Sequence, residues 1–116
     1  MPDSTKHNIP LRVRNLIKKA GTNKPEGIAD YLQIRVRVAD LPSSINSFYV
    51  TVLNKKYICI SDQLTEAREQ NKAVCRGIGH FVLGGNEEEI EYFESELYNQ
   101  LLDDDLYSVN QYLRIG

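Results

Sequence analysis

The residues of this chain that could do chemistry are concentrated in the segment 70–85. His80 lies four positions after Arg76, so both side chains fall on one face if this segment is helical. Apolar residues at helical spacing predict that helix: Val74, Ile78, Phe81 and Val82. Two histidines at this spacing can hold a catalytic zinc ion, and a glutamate directly after the first can activate the bound water. Here Arg76 and Gly77 occupy the first histidine and glutamate positions, and an arginine has no lone pair for a metal.

His80 can be read in two ways. It is either a surviving metal ligand or a histidine now bonded to a neighbour such as Glu89, and we favour the second because a stable zinc site needs three or four protein ligands. A new metal site from Cys59, Cys75, His80 and Glu89 is disfavoured, since Cys75 and His80 point to different sides of one helix. The same separation argues against a Cys75–His80 nucleophilic pair. We therefore predict no catalytic residue, no metal and no cofactor, and two buried, reduced cysteines.

Arg76 also has two readings. Its guanidinium could form a salt bridge with an acid of the following helix, for which Glu88 and Glu89 are the predicted partners. It could instead anchor the carboxylate of a bound peptide. We favour the salt bridge, which would fill the volume that a zinc ion would otherwise occupy.

Length and composition predict a single cytoplasmic domain over residues 1–116, with a flexible tail at residues 1–8. The chain has 116 residues, 41% hydrophobic and 26% charged, as is usual for a globular domain. We find no apolar run of 18 residues and no secretory leader, so we expect no membrane partner.

Charge is distributed unevenly along the chain. Residues 1–60 carry ten Lys and Arg against four Asp and Glu, whereas residues 86–116 carry one against nine. The basic and acidic parts could pair within the fold or between two copies, or the acidic part could meet a partner. The candidate acidic partner face consists of Glu87, Glu88, Glu91, Glu94, Asp103, Asp104 and Asp105. Two arginines on the strand Ile34–Val38 are a weak nucleic-acid signal, and we do not expect direct nucleic-acid binding.

Periodicity and capping residues predict an α+β fold. We expect about four to five helices: Ile9–Ala20, a short one from a cap at Thr22 to about Leu32, one from a cap at Thr65 to Gly84, Glu87–Leu102 after the capping pattern of Asn86 and Glu89, and a last one capped by Asp105 with Leu113 on its apolar side. Strands are expected at Ile34–Val38, Ile45–Leu53 and Tyr57–Ile60, the last being the most covered. We predict a small three-stranded antiparallel sheet. Gly77 and Gly79 disfavour a helix, so a helix that carries both must gain from close packing or retain them for another reason.

This order of elements, and several short stretches within it, resemble the ImmA/IrrE family of zinc peptidases. The likeness spans about residues 11 to 97, and its stretches are Leu16–Thr22, Pro25–Ala29, Leu32–Ile34, Phe48–Tyr49, Tyr57–Ile60, Leu64–Glu66 and Gly79–His80. The chain differs from the family pattern at Ser47 and Lys72.

The resemblance implies a zincin-like core in which two motif histidines and an acid of the next helix hold zinc. Those positions fall on Arg76, His80 and Glu89, and the general base falls on Gly77. Members of the family cut helix-turn-helix repressors. The resemblance thus implies the fold of these peptidases but not their zinc-dependent catalysis.

Three functions follow as expectations. The leading one is an inactive peptidase that binds another protein, such as a repressor, a regulator or a host defence protein, and is carried by a phage or mobile element. The first alternative is an acidic mimic of nucleic acid that inhibits a DNA-binding or defence protein. The second is a zinc peptidase with unusual ligands. A homodimer is compatible with each of them.

Overall fold

The computed structural model describes residues 8–101 and 113–114, which form four helices and four strands. The helices are α1 (Ile9–Ala20), α2 (Pro25–Tyr31), α3 (Ala67–Leu83) and α4 (Glu87–Leu101). The strands are β1 (Ile34–Ala39), β2 (Ser47–Val52), β3 (Lys55–Ser61) and the two-residue β4 (Leu113–Arg114). The predicted α+β class is confirmed.

The helices begin and end close to where the sequence places them. Asn8 caps α1 by accepting a hydrogen bond from the Leu11 amide, and Gly21 ends the helix at a φ of 75°. Asn86 caps α4 through its side-chain oxygen, 3.0 Å from the Glu89 amide, as the capping pattern predicts. Two predicted caps are wrong: α2 begins at Pro25 after Lys24 and not after Thr22, and α3 begins at Ala67 after Glu66 and not after Thr65. The predicted helix after Asp105 falls mostly outside the described residues, but its Leu113 lies in β4.

The sheet is mixed, so the prediction of an antiparallel sheet is wrong. Its strand order is β2-β3-β1-β4, with β2 antiparallel to β3 and with β1 parallel to both β3 and β4. Alternation of apolar and polar residues reports which face of a strand is buried and carries no information about its neighbours' direction. The expectation that β3 is the most covered strand is confirmed, because it lies between β1 and β2.

A two-residue turn joins β2 and β3. Leu53 and Asn54 have φ values of 51° and 67°, the left-handed pair that a type I′ hairpin turn requires. Val52 and Lys55 therefore form the closing pair of the hairpin. Both strand ends lie within two residues of their predicted positions at this turn.

The core lies between the helices and one face of the sheet. It is built from fully buried side chains of all these elements, among them Val13, Ile28, Ile58, Ile60, Val74, Ile78 and Phe93. On β1, Ile34 and Val36 point into this layer while Arg35 is exposed. Within residues 8–101 and 113–114, no helix is long and apolar enough to cross a membrane.

Candidate functional site

Helix α3 places Arg76 and His80 one turn apart, as the sequence predicts. Both side chains are half-buried and line one cleft. The other walls of the cleft are residues 44–46, which precede β2, the strand β2 itself and the helix α4. The cleft has a volume of about 600 Å³. Its lining residues are Ser44, Ile45, Asn46, Ser47, Phe48, Tyr49, Arg76, His80, Glu87, Glu91 and Glu94.

Two glycines allow α3 to approach its neighbours closely. A β-carbon on Gly77 would lie 2.6 Å from Cγ2 of Ile58, and one on Gly79 would lie 3.1 Å from Cδ1 of Phe93. Gly77 therefore lets α3 lie directly against β3, and Gly79 lets α4 lie against α3. The predicted close packing is confirmed, and position 77 has no room for a glutamate side chain without movement of Ile58.

The guanidinium of Arg76 is held by two carboxylates of α4. One of its nitrogens donates to Glu94 Oε1 at 3.2 Å, and the other donates to Glu87 Oε1. The side chain of Glu94 is 15% exposed, whereas that of Glu87 is 64% exposed. Lys72, one turn earlier on α3, adds a longer contact to Glu94 at 3.9 Å. Glu94 is therefore the inner partner that fixes the position of Arg76.

The predicted salt bridge to the following helix thus exists, but with different partners. Glu87, Glu91 and Glu94 recur at spacings of four and three residues and form one stripe on α4 that faces the cleft. Glu88 and Glu89 are rotated by about 100° and 200° from Glu87, which takes them off that stripe. The helical spacing of the three acids was the signal in the sequence that could have identified Glu94.

His80 lines the cleft without the predicted bond to Glu89. Its imidazole makes no hydrogen bond or ion pair with the described residues, and Glu89 does not line the cleft. Glu91 faces the same space. A ligand in the cleft would therefore meet an imidazole and one carboxylate, beside a guanidinium that already has two partners.

The side chains at this place do not fit a zinc ion. Arg76, one turn before His80, donates from its nitrogens to carboxylates and has no lone pair for a metal, and Glu89 does not line the cleft. Among the described residues, no group of three or more His, Cys, Asp or Glu side chains is arranged to hold a metal.

The two cysteines are free and buried, and they lie away from the cleft. Cys75 is completely buried, and Cys59 is 7% exposed on the opposite face of the sheet. Burial raises the pKa of the Cys59 thiol above its ordinary value of 9.0, and the nearby charge of Arg37 opposes this shift in part. A buried, protonated thiol is a poor nucleophile.

Part of the candidate acidic partner face lies on α4. Glu87, Glu88 and Glu91 are exposed there, and Glu94 is half-buried against Arg76. A second, shallower groove on this helix is lined by Lys72, Glu88, Glu91, Tyr92, Glu94 and Ser95. The remaining members of the face, Asp103, Asp104 and Asp105, lie outside the described residues.

Sequence reasoning missed the contribution of β2 to the cleft. Ser47 lines the cleft, and its Oγ is buried with no hydrogen-bond partner among the described residues. Phe48 and Ile45 are 37% and 39% exposed at the same place. Nothing in the sequence showed that β2 is an edge strand, because that depends on the parallel pairing of β1 with β3.

Comparison with known proteins gives no match: no family model, no curated protein and no solved structure is significantly similar to this chain.

Proposed function

We propose that this chain is a catalytically inactive member of the ImmA/IrrE type, with a zincin-like core, that binds another protein through its cleft. It would act in the cytoplasm as a regulator carried by a phage or other mobile element. The partner would be a repressor, another regulator or a host defence protein. The proposal rests on the resemblance of the sequence and on the geometry of one residue, Arg76.

The observation that carries the proposal is that Arg76 is fixed by acids while the cleft beside it stays open. The permanently charged guanidinium of Arg76 forms ion pairs with Glu87 and Glu94. By the resemblance, a peptidase would bind a metal ion at this position. A decaying active site would be expected to collapse or to leave charges without partners. Here the charge is satisfied, and a space of about 600 Å³ remains. An open cleft beside a cation that already has its partners favours the binding of a ligand.

The composition of the cleft favours a polypeptide ligand over a small metabolite. The apolar residues Ile45 and Phe48 line the cleft along β2, where the side chain of Phe48 is exposed on the outer face of the strand, and the carboxylates of α4 line the other side. Protein interfaces combine aromatic anchors with a polar rim in this way.

The inactive site is tested by zinc content. We expect the purified protein to contain far less than one zinc per chain after exposure to excess zinc, and we expect Arg76→His to raise its zinc affinity. About one zinc per chain in the wild type, lost on His80→Ala, would instead establish the alternative of a zinc peptidase with unusual ligands. A chelator-sensitive cleavage of a repressor would establish the same.

The binding surface is tested with two exposed aromatic residues. Phe48 lines the cleft, whereas Tyr92 is exposed on α4 outside it. We expect a partner isolated from the native host to bind the wild type and Tyr92→Ser equally. We expect it to bind Phe48→Ser at least tenfold more weakly, because truncating an aromatic anchor of an interface costs about 2 kcal/mol or more. Equal binding of all three proteins would place the interface elsewhere.

The acidic mimic remains a second candidate because α4 exposes three carboxylates in its first two turns, Glu87, Glu88 and Glu91. A basic, nucleic-acid-binding partner would then bind with a steep dependence on salt. It would also lose affinity equally on Glu88→Lys and Glu91→Lys, since a charge mimic presents its whole acidic face. If Glu88→Lys leaves the affinity for the partner unchanged, the hypothesis of an acidic mimic is wrong.

A further inference from the structure

Among residues 8–101 and 113–114, the strand β2 is an edge of the sheet, and its backbone geometry leaves one side without a partner strand. Because Val52 and Lys55 close a two-residue turn, they form a hydrogen-bonded pair, and such pairs alternate along the hairpin. The bond from the Ser61 amide to the Asn46 carbonyl continues the same alternation, with a length of 2.8 Å. The N–H and C=O groups of Ser47, Tyr49 and Thr51 therefore point away from β3, toward the free edge.

Within the described part of the chain, this edge lacks the usual protection against pairing with another chain. Native edge strands are commonly blocked by charged side chains, prolines or bulges. The segment from Leu41 to Asn54 contains no charged residue, and its one proline, Pro42, precedes the strand. Phe48 and Val52 are 37% and 49% exposed on the face of β2 that points away from the helices.

The two sides of the edge differ in chemistry. On the helix side the cleft carries three carboxylates, Glu87, Glu91 and Glu94, against the single guanidinium of Arg76. On the other side the alternate residues of β2 are Phe48, Val50 and Val52, which are uncharged and apolar. A strand laid along this edge would have its successive side chains facing these two environments in turn.

We infer that the partner contributes an extended segment that adds to the free edge of β2, with basic residues alternating with apolar ones. Every second side chain would be a lysine or arginine directed toward Glu91 and its neighbours, and the others would pack beside Phe48 and Val52. Main-chain hydrogen bonds would supply affinity, and the alternation would supply specificity. The inference rests on the proposed function, since it names the chemistry and the mode of binding at the same cleft.

A second copy of this chain fits the edge less well. The segment 47–52 has no basic residue to offer to the carboxylates. Antiparallel pairing of two β2 strands about a twofold axis would also place both α4 helices on the same side of the joined sheet. Their acidic stripes would then face each other, which is unfavourable.

The test uses a defined peptide. The probe is a fluorescent seven-residue peptide of alternating lysine and valine, compared with one of alternating glutamate and valine and with a lysine–valine peptide N-methylated on the residues that would pair with β2. We expect anisotropy to show saturable binding of the first peptide only. Binding of the glutamate peptide with equal affinity, or absence of binding by the lysine peptide up to millimolar concentration, would overturn the assignment of a basic strand.

Thr51 provides a matched pair of variants. Thr51→Pro removes an edge-facing N–H without touching the ladder to β3, and an edge strand tolerates proline at such a position. We expect it to weaken binding of the lysine peptide about tenfold, through loss of main-chain hydrogen bonds, while Thr51→Val binds like the wild type. Circular dichroism and thermal unfolding would verify that both variants are folded.

Charge is tested in the same assay. We expect Glu91→Lys, inside the cleft, to weaken binding several-fold at low salt, whereas Glu88→Lys, outside it, has little effect. If Thr51→Pro binds the lysine peptide normally and the wild type binds the N-methylated peptide normally, strand addition is wrong. That result does not contradict the binding of a protein in the cleft. If Phe48→Ser retains its natural partner, the proposed function itself fails.

Discussion

At Gly77 a hydrogen atom in place of a side chain determines how closely α3 can approach the sheet. We expect Gly77→Ala to lower the free energy of unfolding by about 1–3 kcal/mol, because the contact with Ile58 would force an overpacked arrangement that outweighs the gain in helix propensity. The measurement is urea unfolding at neutral pH.

Gly85 is the matched control for this substitution. A β-carbon there would have no neighbour within 4 Å, so Gly85→Ala should leave stability nearly unchanged. If Gly77→Ala proved as stable as the wild type, the close approach of α3 to β3 would be disproved. Simultaneous Arg76→His and Gly77→Glu should likewise fail to rebuild a peptidase site, since the glutamate has no space.

The buried thiol of Cys59 makes stability depend on pH in the alkaline range. Its pKa is raised by burial, so the unfolded thiol ionises at lower pH than the folded one. The contribution of this thiol is fully present below its ordinary pKa and is lost as pH rises above it. We expect the difference in unfolding free energy between wild type and Cys59→Ala to decrease between about pH 8 and pH 10. A constant difference across this range would contradict the raised pKa.

At the scale of the elements, the pairing of α3 with α4 depends on the contact between Arg76 and Glu94. Arg76→Met would leave the carboxylate of Glu94, only 15% exposed, without its main partner. We expect this change to cost about 1–2 kcal/mol of stability, whereas Glu87→Gln should cost less than about 0.5 kcal/mol because Glu87 is mostly exposed.

The control for this prediction is the double variant Arg76→Met with Glu94→Met. Removing both charges leaves no buried charge without a partner, because Glu87 and Lys72 are exposed to water, so much of the lost stability should return. Thermal and urea unfolding of the four proteins would form a double-mutant cycle. Independent, additive effects of the two substitutions would show that the two residues do not interact.

Local signals in the sequence were sufficient to place most elements. Asn8 and Gly21 delimit α1, Asn86 opens α4, and the alternation around Arg35 marks β1. The direction and order of the strands could not be read, since they depend on contacts between residues distant in sequence. The partners of Arg76 were predicted wrongly for a related reason. The prediction chose acids by their position in the sequence and not by which side of α4 faces the cleft.

At the scale of the whole molecule, the helices cover only one face of the sheet among the described residues. Parallel strands are usually covered on both faces, yet Arg35, Phe48 and Val52 are exposed on the outer face of this one. The acidic residues collect instead on α4, on the opposite side. The molecule thus presents two chemically different sides that meet at the edge formed by β2.

The position of β3 between β2 and β1 has a consequence for how the chain folds. The β2–β3 hairpin is local, whereas the parallel contact of β3 with β1 joins more distant segments, so the hairpin should form early and dock onto β1 later. The turn contains a leucine at a φ of 51°, a conformation that asparagine or glycine adopts at lower cost. Leu53→Asn should therefore speed refolding in stopped-flow experiments and leave the rate of unfolding almost unchanged.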